Sequence, residues 1–389
     1  MRRLGLGIAL ALGGAVAVAS QRGSAIAVGH AERTDTWSIL FLVATAVAFC
    51  LYVVALTRLR HEGSCRLVCV FALTIQLVPL AGPLLLSRDA YSYWAYGRIV
   101  VQHDADPYTR TPARYPHDPA TREVAPAWRN TASDYGPAFT AASGGIAALV
   151  GRSQDAATFA FRATAAIAVL LASLLAAQLA RRKAFAAAFV GWNPLLALDF
   201  AGGGHNDAWM VAALLASLLL LERGREAAGG ALWIAAAAIK VAALPLLVLR
   251  FVRPRRAAVV GAFAAAAAVA LTATLAFGTA WVSALSAVAS REAASSIPVR
   301  LANAGLGEPL AFAFAYGALL IGALWLLVQA LRGRRRLALG ACVLLVTSPW
   351  ILPWYAIWPV ALAAVEEDAT AQIFALSLAA YLLPDRVPI

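Results

Sequence analysis

Charged residues are scarce in this 389-residue chain: they make up 13% of it, against 62% for hydrophobic residues. Soluble globular proteins carry about 25% charged residues, so a soluble domain of this composition would lack the polar surface needed to cover its core. The four cysteines all lie in or beside apolar segments, and their spacing fits neither a disulfide framework nor a zinc site. We therefore predict a protein that crosses a membrane many times, with its apolar residues facing lipid.

Several enzyme signatures are also missing from the sequence. It contains no Gly-rich phosphate loop ending in Lys-Ser/Thr, no His-Glu-x-x-His motif and no Gly-x-Ser-x-Gly motif. Their absence argues against nucleotide chemistry in a cytosolic domain.

The formal net charge is +12, but the basic residues do not form one continuous face. They occur in short clusters between apolar segments, which is the pattern of topology signals in a membrane protein and not of a nucleic-acid-binding surface. We predict no nucleic-acid partner and assign all of these clusters to the cytoplasm. The clusters are Arg2-Arg3, Arg58 to Arg66, Arg181-Arg182-Lys183, Arg223 to Arg225, Arg250 to Arg256 and Arg332 to Arg336.

Apolar segments of about 20 residues, the length that spans a bilayer, recur along the chain. With the N-terminus inside, helices over residues 4–20, 37–56 and 66–86 bring the chain to the outer face. We interpret the first of these as an uncleaved helix in preference to a signal peptide. Later helices are predicted over residues 157–180, 184–201, 207–222, 257–277 and 310–331, followed by shorter apolar segments near 337–350, 353–365 and 370–384.

For two apolar segments the sequence does not decide how the chain crosses the membrane. Residues 137–151 are short for a span and contain Ser143-Gly144-Gly145, so we predict a surface or half-inserted helix, with a full span as the alternative. Residues 229–250 have basic clusters on both sides and Lys240 in the middle. Two half-helices that meet near Lys240 would keep both clusters in the cytoplasm, whereas a single span would bury the lysine.

Polar segments between the predicted helices form two long outer loops. Residues 87–136 are enriched in Asp, Tyr, Pro and Arg, and a loop of this length is usually functional. Its aromatic and proline residues predict an ordered structure that lies on the membrane surface. A second outer loop is predicted over residues 278–308. Neither an internal repeat nor a separate soluble domain is recognised, so residues 1–389 are treated as one transmembrane domain.

Three polar groups in these segments could carry chemistry. Asp89, where the third helix leaves the membrane, could accept a proton from a hydroxyl or could be a solvated charge at a helix end. His205, Asn206 and Asp207 follow three glycines that permit close backbone approach, although Asn206 or Asp207 could instead cap the next helix. Lys240 needs a partner, either an anionic lipid phosphate or an internal carboxylate.

An aromatic run and a possible metal site complete the candidates. For Ser348-Pro349-Trp350-Ile351-Leu352-Pro353-Trp354-Tyr355 we favour an interfacial aromatic belt over stacking against a sugar ring. Asp89, His205 and Asp207 could ligate a divalent cation, but three ligands scattered along the sequence are a weak signal, and the metal content stays unknown.

Asp89, His205 to Asp207, Lys240 and part of the aromatic run belong to four longer motifs. In the first outer loop these are Asp89-Ala90-Tyr91-Ser92-Tyr93, Gly97-Arg98, Asp106-Pro107-Tyr108, Trp128 and Tyr135-Gly136-Pro137. The others are Trp192-Asn193-Pro194-Leu195 with Gly203-Gly204-His205-Asn206-Asp207-Ala208, Ile239-Lys240-Val241 with Pro245, and Leu352-Pro353-Trp354-Tyr355. In order and spacing they resemble the actinobacterial polyprenol-phosphomannose-dependent α-1,6-mannosyltransferases, over residues 66–365.

This resemblance implies an all-α, GT-C type membrane glycosyltransferase with roughly 11 to 13 transmembrane helices. The active site would lie on the outer, periplasmic face of a bacterial inner membrane. The implied reaction is inverting transfer of a mannosyl or related sugar unit from a polyprenyl-phosphate donor to a cell-envelope glycan or lipid-linked acceptor. The implied partners are therefore the donor, the acceptor and membrane lipids, without a certain cofactor.

The resemblance also implies roles for individual residues. Asp89 would be the general base, and Asp207 and His205 would orient the substrates. Three cations would bind the donor phosphate: Lys240, Arg98 and Arg88. The residues expected to contact the substrates are Tyr91, Tyr93, Asn206, Tyr108, Tyr135, Trp354 and Tyr355.

A multi-span transporter or flippase for a lipid or small solute is the alternative, because broken helices and Gly-rich bends also describe carriers. Carriers commonly contain repeated halves, whereas a long loop rich in Tyr, Trp and Asp is better explained as a catalytic lid. The two classes predict different cavities. A glycosyltransferase would have one outward cavity that opens sideways to lipid, and a transporter a midplane cavity between two pseudo-symmetric halves.

Overall fold

A computed structural model describes residues 1–28, 36–61, 63–287 and 291–388 of the chain. Within these ranges the regular structure is helical, and the single β-contact is an isolated bridge between Ala27 and Leu85. The predicted all-α class is therefore confirmed. In chain order the α-helices are α1 (Arg2–Ala19), α2 (Thr36–Leu59), α3 (Cys65–Leu77), α4 (Asp89–Gln102), α5 (Pro119–Glu123), α6 (Pro137–Val150), α7 (Gln154–Leu179), α8 (Lys183–Gly191), α9 (Pro194–Leu196), α10 (Asp207–Glu222), α11 (Glu226–Ile239), α12 (Ala243–Arg250), α13 (Arg256–Phe277), α14 (Ala280–Ala287), α15 (Ile297–Leu301), α16 (Glu308–Leu331), α17 (Leu337–Thr347), α18 (Ile357–Glu366) and α19 (Ala369–Leu382).

Five of these helices are long and apolar enough to cross a membrane: α1, α2, α7, α13 and α16. A sixth span results if α8 and the following segment Pro194–Gly202, which are bent by 45° relative to each other, are taken as one. Other apolar helices, such as α6, α11, α17 and α19, are shorter than the ~20 residues that a bilayer requires. The structure supports a membrane protein, whereas the expected 11–13 spans are not confirmed.

Proline accounts for several of the breaks. The helix expected over residues 66–86 ends at Leu77, and only the 3₁₀ turn Val78–Ala81 follows, because Pro79 has no N–H with which to continue the helix. Likewise α8 stops before Pro194, and the chain continues through α9 into the π-helix Ala197–Gly202. The continuous spans predicted over 66–86 and 184–201 are therefore wrong in this respect.

The segment around Lys240 is broken as well. It forms two helices, α11 and α12, and Lys240 lies between them in extended conformation (φ −149°, ψ 124°). Pro245 contributes to the break because it has no N–H to donate to the carbonyl four residues earlier. Of the two alternatives for residues 229–250, the structure has the pair of shorter helices.

The first outer loop, residues 87–136, is ordered and contains α4, α5 and two 3₁₀ turns. α4 packs closely on α6, where a Cβ atom at Gly97 would lie 2.2 Å from the carbonyl oxygen of Ser143. α6 is fourteen residues long and is too short to count among the candidate spans. The predicted second loop contains α14, α15 and the π-helix Ala302–Leu306.

Burial separates the bundle interior from surfaces suited to lipid. One core cluster joins α4, α6 and the start of α7 around Tyr93, Phe139 and Phe161, whose rings meet edge to face. A larger cluster joins α1–α3, α7–α10 and α17–α19. In contrast, Leu275 on α13 and Ile321 on α16 are 78% and 71% exposed. Exposed apolar faces of this kind fit contact with lipid.

Candidate active site

A cavity of about 730 Å³ lies between the first outer loop, the break at Lys240 and the segment that follows α17. Four cations and two carboxylates contribute to its lining: Arg88, Lys240, Arg291, Arg386, Asp89 and Asp134. The excess of cations favours an anionic ligand in this cavity.

The period of α4 determines which residues of the first motif reach the cavity. Asp89, Ser92, Tyr93 and Tyr96 line it, and they follow the i, i+3, i+4, i+7 spacing of one helical face. Asp89 is the first residue of α4, and its amide donates a hydrogen bond to the Ser87 hydroxyl. The expected base is thus at the cavity wall, with 23% of its side chain exposed.

Asp89 contacts one of the other predicted catalytic residues. Its carboxylate lies 3.3 Å from Nδ1 of His205, which is 1% exposed. Burial raises the pKa of Asp89, but the contact with His205 and the charge of Arg386 outweigh that effect, and the pKa is lowered. Burial lowers the pKa of the His205 ring. At neutral pH the pair therefore holds an ionised carboxylate beside a neutral imidazole.

Three glycines allow His205 to occupy this position. A Cβ atom at Gly202 would lie 2.8 Å from the side chain of Leu85, and one at Gly203 would lie 2.8 Å from Nε2 of His205. Gly204 has a φ of +80°, which side chains with a Cβ atom disfavour. The motif thus turns the chain sharply while the backbone passes against two neighbouring side chains.

Asp207 and Lys240 form a buried ion pair beside the cavity. The Lys240 ammonium donates to Oδ2 of Asp207 at 2.8 Å, and the indole of Trp358 donates to Oδ1 at 2.7 Å. Lys240 also lies 4.2 Å from the ring centroid of Tyr355. The partner of Lys240 is therefore an internal carboxylate. Neither Asn206 nor Asp207 caps α10 through its side chain, so the capping alternative is wrong.

Trp354 and Tyr355 belong to the cavity and are almost fully buried, at 4% and 6% exposure. The Trp354 ring stacks on His205 with 3.5 Å between centroids, and Tyr355 stacks on Trp358 at 4.6 Å. The favoured interpretation as an interfacial aromatic belt is therefore wrong for these two residues, because they pack beneath the catalytic candidates instead of facing outward.

Other predicted site residues differ in where they lie. Arg88 lines the cavity and donates to the backbone carbonyl of Glu123 at 2.9 Å. Tyr135 also lines the cavity, whereas Asn206 is 1% exposed behind the wall. Tyr108 contributes instead to a smaller cavity of about 260 Å³.

Arg98 and Tyr91 are not brought to the cavity, because they lie on other faces of α4. Arg98 is buried in a 2.8 Å ion pair with Asp118 and donates to the carbonyl of Gly151. The Tyr91 hydroxyl accepts a hydrogen bond from Gln154. Arg98 follows Asp89 by nine residues, about half a turn out of phase at 100° per residue. The predicted role of Arg98 in binding the donor phosphate is therefore withdrawn.

The three residues considered as metal ligands do not form one site. Asp89 contacts His205, but Asp207 is engaged by Lys240 and Trp358. Among the described residues no group of three or more His, Cys, Asp or Glu side chains is placed to hold a metal ion.

Two residues that position the site, Arg162 and Gly136, were not among the predicted site residues. Arg162 in α7 is 5% exposed and donates to the carbonyls of Ala201, Gly82 and Pro79, and so ties the segments preceding His205 and Asp89 together. Gly136 donates its N–H to the carbonyl of Ile239, directly before Lys240. Arg162 is a charge inside an apolar segment, which by itself signals function or an internal partner.

The fold and cavity define a helical membrane protein that presents an ionised carboxylate, an imidazole and a paired lysine in one site. Comparison with known proteins is more specific. A family model described as "Alpha-(1->6)-mannopyranosyltransferase, N-terminal domain" matches residues 4–255, which include Asp89, His205, Asp207 and Lys240. The chain belongs to this family of glycosyltransferases.

Individual relatives carry the same name. The chain is 32% identical over 350 residues to alpha-(1->6)-mannopyranosyltransferase A of Mycobacterium tuberculosis, over 79% of this chain and 67% of that protein. It is 31% identical over 186 residues to alpha-(1->6)-mannopyranosyltransferase A of Corynebacterium glutamicum, over 46% of this chain and 37% of that protein. A probable alpha-(1->6)-mannopyranosyltransferase of Mycolicibacterium smegmatis is 37% identical over 164 residues, 40% of this chain and 29% of its own length. No solved structure matches the chain.

Proposed function

We propose that this chain transfers a mannosyl unit from a polyprenyl-phosphate mannose donor to a hydroxyl group of a cell-envelope glycan or lipid-linked acceptor. The observation that carries the proposal is the cavity itself, in which Asp89 and Lys240 line the same space. The relatives' names support the sugar and the type of reaction.

In the proposed reaction Asp89 takes the proton of the acceptor hydroxyl. The acceptor oxygen then forms a bond to the anomeric carbon of mannose, the bond from that carbon to the phosphate oxygen breaks on the opposite face, and the configuration inverts. Polyprenyl phosphate leaves with the electron pair of the broken bond. The lowered pKa of Asp89 keeps the carboxylate ionised and ready to accept the proton.

Lys240 is the proposed partner of the leaving phosphate. An ammonium has three N–H donors, and only one of them is used on Asp207. The remaining donors can stabilise the charge that develops as the phosphate departs. Asp207 and Trp358 hold the ammonium in place, and Arg88 lies on the same cavity as a second cation.

The wall next to Lys240 fits the lipid part of the donor. It is apolar, and it is formed by the turn before α12, the first turn of α12 and the end of α17. The residues are Val241, Ala242, Pro245, Leu344 and Leu345. An apolar wall beside a cation provides a surface for a prenyl chain and a binding site for its phosphate. This combination favours a lipid-linked donor over a nucleotide sugar.

The proposal extends to the architecture and the location of the protein. We propose that shorter and broken apolar helices cross the bilayer together with the five long ones, as in a GT-C type bundle of roughly 11 to 13 spans. With the basic clusters in the cytoplasm, the cavity opens on the outer face of a bacterial inner membrane. The whole chain then forms one transmembrane glycosyltransferase domain.

Purified protein in proteoliposomes tests the function directly. Radiolabelled polyprenyl-phosphate mannose and nucleotide-activated mannose are supplied separately, each with an α-mannoside acceptor, and labelled product is counted. Transfer from the lipid-linked donor alone supports the proposal. Transfer only from the nucleotide sugar contradicts it, and so does movement of a lipid across the vesicle membrane without transfer, which would favour a flippase.

A further inference from the structure

Beyond the catalytic residues, four side chains form a separate cluster on the wall of the same cavity. They are Trp128, Asp134, Arg291 and Trp350. Arg291 forms an ion pair with Asp134 and lies 4.4 Å from the ring centroid of Trp128. Trp128 and Trp350 meet edge to face at 6.3 Å, and both are partly exposed.

Hydrogen bonds join two of the three chain segments that form this cluster. Two residues after Arg291, the N–H of Ala293 donates to the carbonyl of Pro349, and the hydroxyl of Ser295 donates to the carbonyl of Ile351. The segment that carries Arg291 is therefore fixed to the segment that carries Trp350. A rigid, preorganised surface loses little conformational freedom when a ligand binds.

The chemistry of the cluster selects a class of ligand. Asp134 and Arg291 neutralise each other, so the cluster offers hydrogen-bond donors and acceptors without net charge. The neutral ion pair offers no net attraction to an anionic phosphate, and a prenyl chain would desolvate the pair without replacing its hydrogen bonds. A neutral pyranose ring meets both requirements, because its hydroxyls can bond to the ion pair while its apolar C–H face packs on indole.

Asp134 and Arg291 also line the smaller cavity of about 260 Å³, together with the hydroxyl-bearing residues Tyr108 and Ser133. The ion pair thus borders both cavities. A ligand bound at the cluster has space on either side of this pair, which suits a saccharide of more than one unit.

We propose that Trp128, Asp134, Arg291 and Trp350 form the acceptor subsite of this protein and bind the terminal neutral hexosyl units of a glycan. This inference rests on the proposed function, because the site is an acceptor subsite only if the protein transfers a sugar. The binding site itself is defined by saccharide chemistry and is testable without turnover.

Equilibrium binding of a radiolabelled α-linked mannose disaccharide to the full chain in lipid nanodiscs tests the site. Trp128→Ala should weaken binding about tenfold, the effect of losing a central aromatic contact, and Trp128→Phe should recover part of it. Trp281→Ala is the matched control, since Trp281 lies in the second outer loop but lines neither cavity. Should Trp128→Ala reduce the yield of folded protein, Trp350→Ala probes the same cluster from another segment.

Two results would overturn the subsite: no saccharide binding by the wild type, or binding that Trp128→Ala and Trp350→Ala leave unchanged. In the transfer reaction the same variants should raise KM for the acceptor and leave KM for the donor unchanged, whereas a general loss of packing would lower kcat without this separation. The wild type could bind the disaccharide but transfer no sugar from any prenyl-phosphate donor. That result would contradict the proposed function but not the saccharide-binding site.

Discussion

A single methyl group at Gly136 should displace Lys240. Gly136 has φ −64° and ψ 152°, a backbone conformation that alanine adopts freely, so Gly136→Ala introduces no backbone strain. The obstacle is space: the added Cβ atom would lie 2.1 Å from the carbonyl oxygen of Ala238, well under the 3.0 Å below which real Cβ contacts essentially do not occur. The loop and the end of α11 must therefore separate by nearly 1 Å.

That separation acts through the backbone on Lys240, the proposed partner of the leaving phosphate. The N–H of Gly136 bonds to the carbonyl of Ile239 at 3.2 Å, and the next residue is Lys240, whose ammonium lies 2.8 Å from Asp207. A misplacement of about 1 Å can cost on the order of 10²-fold in rate, and overpacking costs about 1–3 kcal/mol of stability. We expect Gly136→Ala to lower kcat for mannosyl transfer by about that factor and to lower the melting temperature.

Gly145→Ala provides the matched control. Gly145 lies in α6, the helix that Gly136 precedes, and a Cβ atom there would have no neighbour within 4 Å. Because alanine is favoured over glycine inside a helix by about 1 kcal/mol, this variant should keep full activity and melt no lower than the wild type. Gly136→Ala with wild-type kcat in the same nanodisc assay would refute the argument that this contact positions Lys240.

Three further outcomes follow from the same contacts. Lys240→Met should raise KM for the donor and destabilise the fold by about 3–5 kcal/mol, because Asp207 is left buried and unpaired; adding Asp207→Asn should restore thermal stability but not transfer. Arg162→Gln should lower both the melting temperature and kcat, since each buried carbonyl left without a donor costs about 1–3 kcal/mol, and Arg162→Lys should recover part of both. An unchanged kcat would show that Arg162 does not position the site. The lowered pKa values of Asp89 and His205 predict a level kcat/KM from pH 8 through neutrality, with a fall only below the ordinary histidine pKa of about 6.5; a midpoint at or above pH 7 would contradict the assignment of charge states.

Local sequence features predicted much of the fold. Length and hydropathy located α2, α7, α13 and α16 to within a few residues, because long apolar helices are determined by their own composition. The short and broken helices were less predictable. Whether Pro79, Pro194 or Pro245 ends a helix or only bends it depends on which neighbours donate hydrogen bonds to the carbonyl groups that the break leaves unpaired. Arg162, on a distant helix, donates to the carbonyl of Pro79.

The candidate site was predictable in part from helical phase. The face of α4 that carries Asp89 also carries Tyr93, and the 100° period puts Arg98 on the opposite face, so helical phase alone excludes it from the cavity. By contrast, the sequence offered an unspecified internal carboxylate as only one of two partners for Lys240 and did not indicate Asp207. The ion pair of Asp134 with Arg291 joins residues 157 positions apart. Such pairs arise from tertiary packing, and neither residue's neighbours in the sequence indicate them.

Proton transfer from the acceptor hydroxyl to Asp89 is the central step of the proposed mechanism. The most direct measurement is the single-turnover rate of mannosyl transfer from polyprenyl-phosphate mannose by wild type and Asp89→Asn at matched folded concentration, with donor binding measured in parallel. Asparagine keeps the size of the side chain but cannot accept the proton, so the rate should fall by about 10²–10⁴-fold while donor binding persists. A rate within a few-fold of the wild type would show that Asp89 is not the base.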